Sequence, residues 1–320
     1  MRIYVLTLSE VFDTGLATLL DTFSTANGLA NSAEAPSTCF DVTIIGVRTR
    51  VRTSQGLAVP VQSATELTAP DVALVPAIGA KLPDTLRGAL EQRETSEAQA
   101  LLRAWSASGS FIGAACTGTF ILAGSSLLDG HHATTSWWLA PFFRERYPRV
   151  VLDESRMVVN ASRFVTAGAA LAHLDLALWL VRRYSPALAA LTARYLVVDP
   201  RPSQAAFAIP DHLAHADPVV ERFEQWARRR LTDGFSLSEA ARAVATSPRT
   251  LTRRLQSVVG KSPLGYFQDL RIERAVHLLR TSDASVDQIA TQVGYANGVT
   301  LRTLIRRKIG RGVRELRARA

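Results

Sequence analysis

The stretch GSFIGAACTGTFILAGSSLLDG, residues 109–130, decides how the first half of the chain is read. SFIGAAC (110–116) is a short apolar run that predicts a buried strand, and TGTFILAGSSLL (117–128) has the apolar spacing of a helix. Cys116 therefore falls on a sharp strand-to-helix turn. A helix N-terminus favours a thiolate, and the backbone N–H groups that follow can hold an oxyanion or a ligand carboxylate. Three roles fit such a cysteine: a small residue in a tight bend, the wall of a ligand pocket, or a reactive thiol.

Working outward, the flanks alternate strand and helix signals. RIYVLTL (2–8), FDVTIIGV (40–47) and PDVALVPAI (70–78) read as strands. GLATLLDTFSTANGL (15–29), TSEAQALLRAWSAS (95–108), ALAHLDLALWLVRRY (170–184) and PALAALTARYLVV (186–198) read as helices, and RMVVNASRFVTAG (156–168) as a hairpin. Alternation of this kind predicts an α/β domain with a parallel sheet flanked by helices over residues 1–198. DPRPSQAAFAIPDH, with three prolines, predicts a linker over 199–215. Beyond it the strand signal ends, which predicts an all-α domain over 216–320.

Charge divides the chain at the same place. Of 37 Lys+Arg and 28 Asp+Glu, residues 216–320 hold 20 and 10, leaving 17 and 18 for residues 1–215. A neutral first part joined to a basic second part points to a polyanionic partner. The 320 residues are enough for two cores. No apolar run approaches the roughly 20 residues of a membrane helix. MRIYVLTLSE lacks the basic lead and cleavage site of a signal peptide, so a cytoplasmic protein without membrane contact is expected. Cys39 and Cys116 are too few for a disulfide framework or a zinc site, and no metal or cofactor is expected.

Two C-terminal segments share one plan: SLSEAARAVATSPRTLTRRLQSVVG (236–260) and SVDQIATQVGYANGVTLRTLIRRKIG (285–310). Each opens with a serine suited to an N-cap, continues as a short helix, turns, and ends in a helix rich in Thr, Leu and Arg. This is the pattern of a helix-turn-helix, twice, with PLGYFQDLRIERAVHLLR (263–280) as a linking helix. In the first unit Leu251, Leu255 and Val258 are expected to face the core, leaving Arg249, Thr252, Arg253 and Gln256 outward. In the second, Leu301, Ile305 and Ile309 are expected inside, and Val299, Arg302, Thr303 and Arg306 outside. Arg can bond guanine edges bidentately, and Thr can contact a base or a methyl group. Arg307 and Lys308 are expected to serve phosphates.

These two segments resemble the AraC/XylS-type transcription regulators, which implies double-stranded DNA as a partner. Three positions depart from that family's pattern: Asn297 stands where Asp is usual, Ile305 where Phe is usual, and GRGVRELR (310–317) replaces the usual ending. The first domain resembles the DJ-1/PfpI class of glutamine-amidotransferase-like proteins on AACTGTFILAGSSLLDGHHATTSWW (114–138), PDVALVPAIG (70–79) and RFVTAGAALAHLDLALWLV (163–181). Together the two halves resemble the GlxA-type regulators.

The resemblance to the DJ-1/PfpI class implies a base and a carboxylate around Cys116, and here the sequence departs. Ser136 replaces the histidine usual after ATT, and serine cannot act as a general base at neutral pH. His131 and His132 lie nearby in sequence, on the turn before a strand. Asp13 falls at the position of the class carboxylate, with Glu10 as a second choice. PAIG (76–79) stands where Pro-Gly-Gly is common, which weakens an oxyanion donor. The implied pocket is Asp13, Cys116, Thr117, Ser136 and Trp137, without a catalytic set. Cys39, His173 and Asp175 read as packing or surface residues. The family also implies a homodimer through the first domain and a small nitrogenous metabolite as effector. A cysteine-dependent hydrolase carrying a DNA-binding tail is the alternative.

Overall fold

In a computed structural model of the chain, residues 1–30, 40–64, 67–199, 201, 203–204 and 217–317 are described. Cys39 lies outside them. The chain divides into two compact units, Met1–Gln204 and Ala205–Ala320.

The first unit is built on a seven-stranded sheet. Its strands are β1 (Arg2–Leu6), β2 (Asp41–Gly46), β5 (Gln62–Ser63), β6 (Val72–Val75), β7 (Phe111–Ala115), β10 (Val158–Ala161) and β11 (Phe164–Ala167), in the order β10-β11-β7-β6-β1-β2-β5. All neighbours are parallel except β10 and β11, which pair antiparallel as the expected hairpin. Two small ribbons accompany it. One joins β3 (Val51–Arg52) to β4 (Ala58–Val59), and the other joins β8 (His132–Ala133) to β9 (Val151–Leu152).

Alternation along the strands makes two cores. Tyr4, Leu6, Ala73, Val75, Ile112 and Ala114 face one side. There they meet α2 (Pro83–Leu90), α3 (Arg93–Ala107), α4 (Gly118–Gly124) and α5 (Ala140–Arg146). Ile3, Val5, Val72, Leu74 and Ala115 face the other side, against α1 (Asp13–Leu29), α6 (Ala172–Tyr184) and α7 (Pro186–Tyr195). A strand covered on both faces has no solvated side, which is why these segments read as continuous apolar runs.

The first unit runs past the expected boundary at 198. Gln204 is buried, and its amide donates to the Thr135 carbonyl at 2.8 Å. Ser203 Oγ donates to the Ser155 carbonyl. Two polar side chains late in a proline-rich stretch thus close the unit, where composition suggested a linker.

The described part of the second unit is helical. Its elements are α8 (Pro218–Arg228), α9 (Leu237–Ala243), α10 (Pro248–Val258), α11 (Pro263–Thr281), α12 (Val286–Gln292), α13 (Gly298–Ile309) and α14 (Val313–Arg317). The expected serine N-caps are present at Ser236 and Ser285, and Ser247 and Ser262 cap α10 and α11 in the same way; each accepts from a backbone N–H three residues on. Ser285 and Gln288 complete a capping box. Asn297 caps α13 through its side-chain oxygen, accepting from Thr300 N–H at 2.9 Å. A carboxamide oxygen thus does the capping work of the more usual aspartate. Ile305 fills its buried position completely.

Candidate functional site

Two constellations carry the chemistry, one in each unit. In the second unit the outer faces of α10 and α13 are set by what the inner faces bury. Leu251 and Leu255 are fully buried, as are Leu301 and Ile305. The α10 stripe continues through Val259 rather than the expected Val258, which is only half-buried. The step from Leu255 is four residues, not three. Ile309 is half-buried against the core of its unit.

On the opposite faces Arg249, Arg253 and Gln256 are exposed and Thr252 is half-exposed. On α13 Val299 is 67% exposed, and Arg302, Thr303 and Arg306 are exposed beside it. An apolar side chain held in water among arginines suits a groove lined with thymine methyls and guanine edges. The hydroxyl protons of Thr252 and Thr303 are already given to the carbonyls of Pro248 (2.9 Å) and Val299 (3.1 Å). Each threonine therefore offers a methyl and lone pairs, not a donor.

Two other cations are anchored elsewhere. Arg254 pairs with Asp217, the N-cap of α8, at 2.9 Å. Lys308, expected to serve phosphate, is paired with Asp269 of α11; Arg307 is exposed. A lysine held by a half-buried carboxylate must give up that partner before it can neutralise phosphate.

Sequence reasoning missed the contacts that fix these helices. Asp269 also holds Lys261, at the turn after α10, at 2.5 Å. One carboxylate on the linking helix thus grips both helix-turn-helix units. Asp287 accepts from Gly298 N–H at 2.8 Å and ties the two helices of the second unit at their starts. The pairing of an acid two residues after an N-cap with the next helix start was the available signal.

In the first unit Cys116 takes a left-handed backbone, φ 55°, between β7 and α4. A side chain at such φ is uncommon and marks a turn fixed by its surroundings. Gly118 makes the turn possible: a Cβ there would stand 2.3 Å from the Val75 carbonyl. Cys116 Sγ lies 2.8 Å from Ser136 Oγ, and Thr135 Oγ1 donates to the Cys116 carbonyl at 2.7 Å. Burial pushes the thiol above its ordinary range, and the bond to Ser136 offsets this only in part.

The loop after β6 offers no spare donor at three successive positions. Ala77 N–H donates to His173 Nε2 at 3.0 Å, Ile78 N–H to Thr117 Oγ1 at 2.9 Å, and Gly79 N–H to the Glu10 carbonyl at 2.6 Å. His173 is fully buried, and its Nδ1 lies 2.6 Å from the Ala170 carbonyl. Nδ1 therefore carries the proton, Nε2 accepts, and burial lowers the ring to about pKa 4. This is a neutral, fully bonded imidazole that positions a loop. It packs where Gly15 lacks a side chain: a Cβ there would stand 2.6 Å from Nε2.

The expected pocket is only partly assembled. Cys116, Thr117 and Ser136 are joined in one buried group. Trp137 is mostly buried and packs edge-on against Trp138. Asp13 instead accepts from Ser54 Oγ at 2.9 Å and Gln55 N–H at 3.2 Å. Its Oδ1 is buried without a hydrogen bond. Among the described residues no hydrogen bond joins Cys116 to Asp13, Glu10, His131 or His132. His131 packs edge-on against Phe164, and His132 is exposed on β8. Among the described residues no cluster of three or more His, Cys, Asp or Glu could hold a metal.

The family model for DJ-1/PfpI matches residues 1–183. The chain belongs to the DJ-1/PfpI family. A helix-turn-helix domain model matches residues 240–319, so this member of the family carries a second, AraC-type unit. Among curated proteins the chain is 28% identical over 212 residues to the HTH-type transcriptional regulator GbdR of Pseudomonas aeruginosa, covering 65% of this chain and 58% of that one. It is 29% identical over 195 residues to ArgR of the same species, covering 60% and 59%. To GlxA of Rhizobium meliloti it is 28% identical over 239 residues, 71% of each chain. The matched stretches span less than two thirds of GbdR and ArgR. Among solved structures, an AraC family transcriptional regulator from Pseudomonas putida matches 61% of this chain and 98% of its own at TM-score 0.51 and 21% identity, a likeness of fold. Among the described residues no helix is long and apolar enough to cross a membrane.

Proposed function

We propose that this chain is a sequence-specific DNA-binding transcription regulator. Its second unit reads successive major grooves of duplex DNA with α10 and α13. Its first unit is a non-catalytic platform for homodimerisation and for sensing a small nitrogenous metabolite. The observation that carries the reading is the doubled recognition face: two capped helices with Leu251 and Leu255, or Leu301 and Ile305, buried behind exposed arginines. Relatives named as transcriptional regulators support it. Arg249, Arg253, Arg302 and Arg306 are assigned to base edges and adjacent phosphates, and Thr252, Thr303 and Val299 to methyl contacts.

The alternative hydrolase reading needs a thiolate, a base and an oxyanion donor. Cys116 is a buried thiol, bonded to a serine, beside a loop whose amides are already engaged. This geometry favours the binding reading. The test is footprinting of genomic fragments with the full chain. Protected duplexes about 20 base pairs long, spanning two adjacent turns, are expected. Uniform, salt-labile coverage without preferred sites would refute sequence-specific binding.

A further inference from the structure

A cavity of about 340 Å³ opens between α6, α7 and the start of β10. That volume suits a small metabolite. Asp175, Leu178, Trp179 and Arg182 line it at intervals of three, four and seven residues, which is one face of α6. The opposite face, with Leu176, Ala177, Leu180 and Val181, is buried against the sheet. Helix α6 therefore spends one face on the core and presents the other, half apolar and half charged, to the cavity.

The charges in this cavity are unequally matched. Asp175 is paired with Arg201, whose Nε is buried and has no hydrogen-bond partner. Arg156 and Arg182 also line the wall, and neither has a carboxylate partner among the described residues. Asp199 is the one further acid on the lining. Three guanidiniums against two carboxylates leave an excess positive charge, and a buried N–H without an acceptor is costly unless something supplies one. Leu178, and Trp179 stacked on Phe111 at 5.7 Å, provide a rigid apolar wall.

We propose that this cavity is a binding site for a small organic carboxylate with an apolar body. The carboxylate lies between Arg156 and Arg182, in reach of Arg201, and the body lies against Leu178 and Trp179. Val198 and Asp199, close to the end of the first unit, complete the wall, so a bound ligand touches the segment that leads to the second unit in sequence. The site is separate from Cys116. It goes beyond the nitrogenous-metabolite reading by assigning a different ligand class, and it rests on the sensor role only for its purpose, because binding is measured without DNA.

The test uses the full chain with benzoate, phenylacetate and hexanoate, each beside its neutral amide, by calorimetry and thermal shift. At least one carboxylate is expected to bind about tenfold or more tightly than its amide. Arg156→Gln and Arg182→Gln, both at exposed positions, each weaken it by about tenfold while melting as the parent does. Cys116→Ala leaves it unchanged. The site is refuted if no carboxylate binds at millimolar concentration or if amides bind equally. It is also refuted if binding survives both arginine changes or disappears with Cys116. DNA binding by the same preparations, assayed separately, tells a failed ligand site from a failed regulator.

Discussion

The sulfur of Cys116 and the hydroxyl oxygen of Ser136 stand 2.8 Å apart in a fully buried contact. Serine can share a hydrogen bond with a thiol but cannot take its proton at neutral pH. Burial holds the thiol protonated, so it is expected to react slowly. In the folded chain at pH 7, iodoacetamide should alkylate Cys116 at least about tenfold more slowly than in the unfolded chain. Peptide-resolved mass spectrometry separates this cysteine from Cys39. Alkylation as fast as in the unfolded chain would show an activated thiolate.

His173 makes stability depend on pH. Its folded pKa of about 4 lies below the ordinary 6.5. The unfolded chain binds more protons between those values, so stability rises with pH there. The contribution is complete above pH 6.5 and is lost as pH falls toward 4, amounting to about 3 kcal/mol at most. His173→Gln should flatten that part of the profile in urea titrations. A variant with the parent's pH dependence would remove His173 from the account.

The two helix-turn-helix units carry different residues at one equivalent turn position. Ala245 in the first turn and Gly294 in the second both take left-handed φ, 55° and 79°. Ala245→Gly should stabilise by about 1 kcal/mol, since glycine adopts this conformation without the Cβ penalty. Gly294→Ala should destabilise by more than about 1 kcal/mol, because beyond the strain its Cβ would lie 2.3 Å from the Leu231 carbonyl. Thermal melts of both variants check the pair, and a stabilising Gly294→Ala would contradict the assigned turn.

Asp269 joins Lys261 and Lys308, and with them both helix-turn-helix units of the second part of the chain. All three side chains are partly exposed, so solvent screens much of the attraction. Asp269→Asn should cost about 1 kcal/mol in urea denaturation, with non-additive loss when combined with Lys308→Met. Full additivity would show that the carboxylate and Lys308 act independently.

How far the sequence could be read follows from the range of each interaction. Alternation in Ile3-Tyr4-Val5-Leu6 encodes a strand between two cores, and the Ser236 and Ser285 caps encode helix starts, because these signals lie within a few residues. The outward arginines of α10 and α13 are legible for the same reason. His173 holding Ala77, and Lys308 held by Asp269, join residues far apart in the chain. Periodicity carries no trace of such pairs. Asp13 illustrates the cost: the resemblance to the DJ-1/PfpI class implies a carboxylate there facing Cys116, but Ser54 and Gln55 claim it. The inner stripe of α10 ends at Val259 and not at Val258, because a helical face continues at either three or four residues and only packing chooses.

The central claim, that two arginine-bearing helices read duplex DNA together, is tested most directly by selecting binding sites from a random duplex library with the full chain at moderate salt. A two-part motif whose halves are centred about 10 base pairs apart is expected. Arg253→Ala should lose roughly 1–3 kcal/mol at one base of one half, and Arg302→Ala a similar amount in the other. Recovery of no motif, or equal loss by these variants on selected and random DNA, would contradict it.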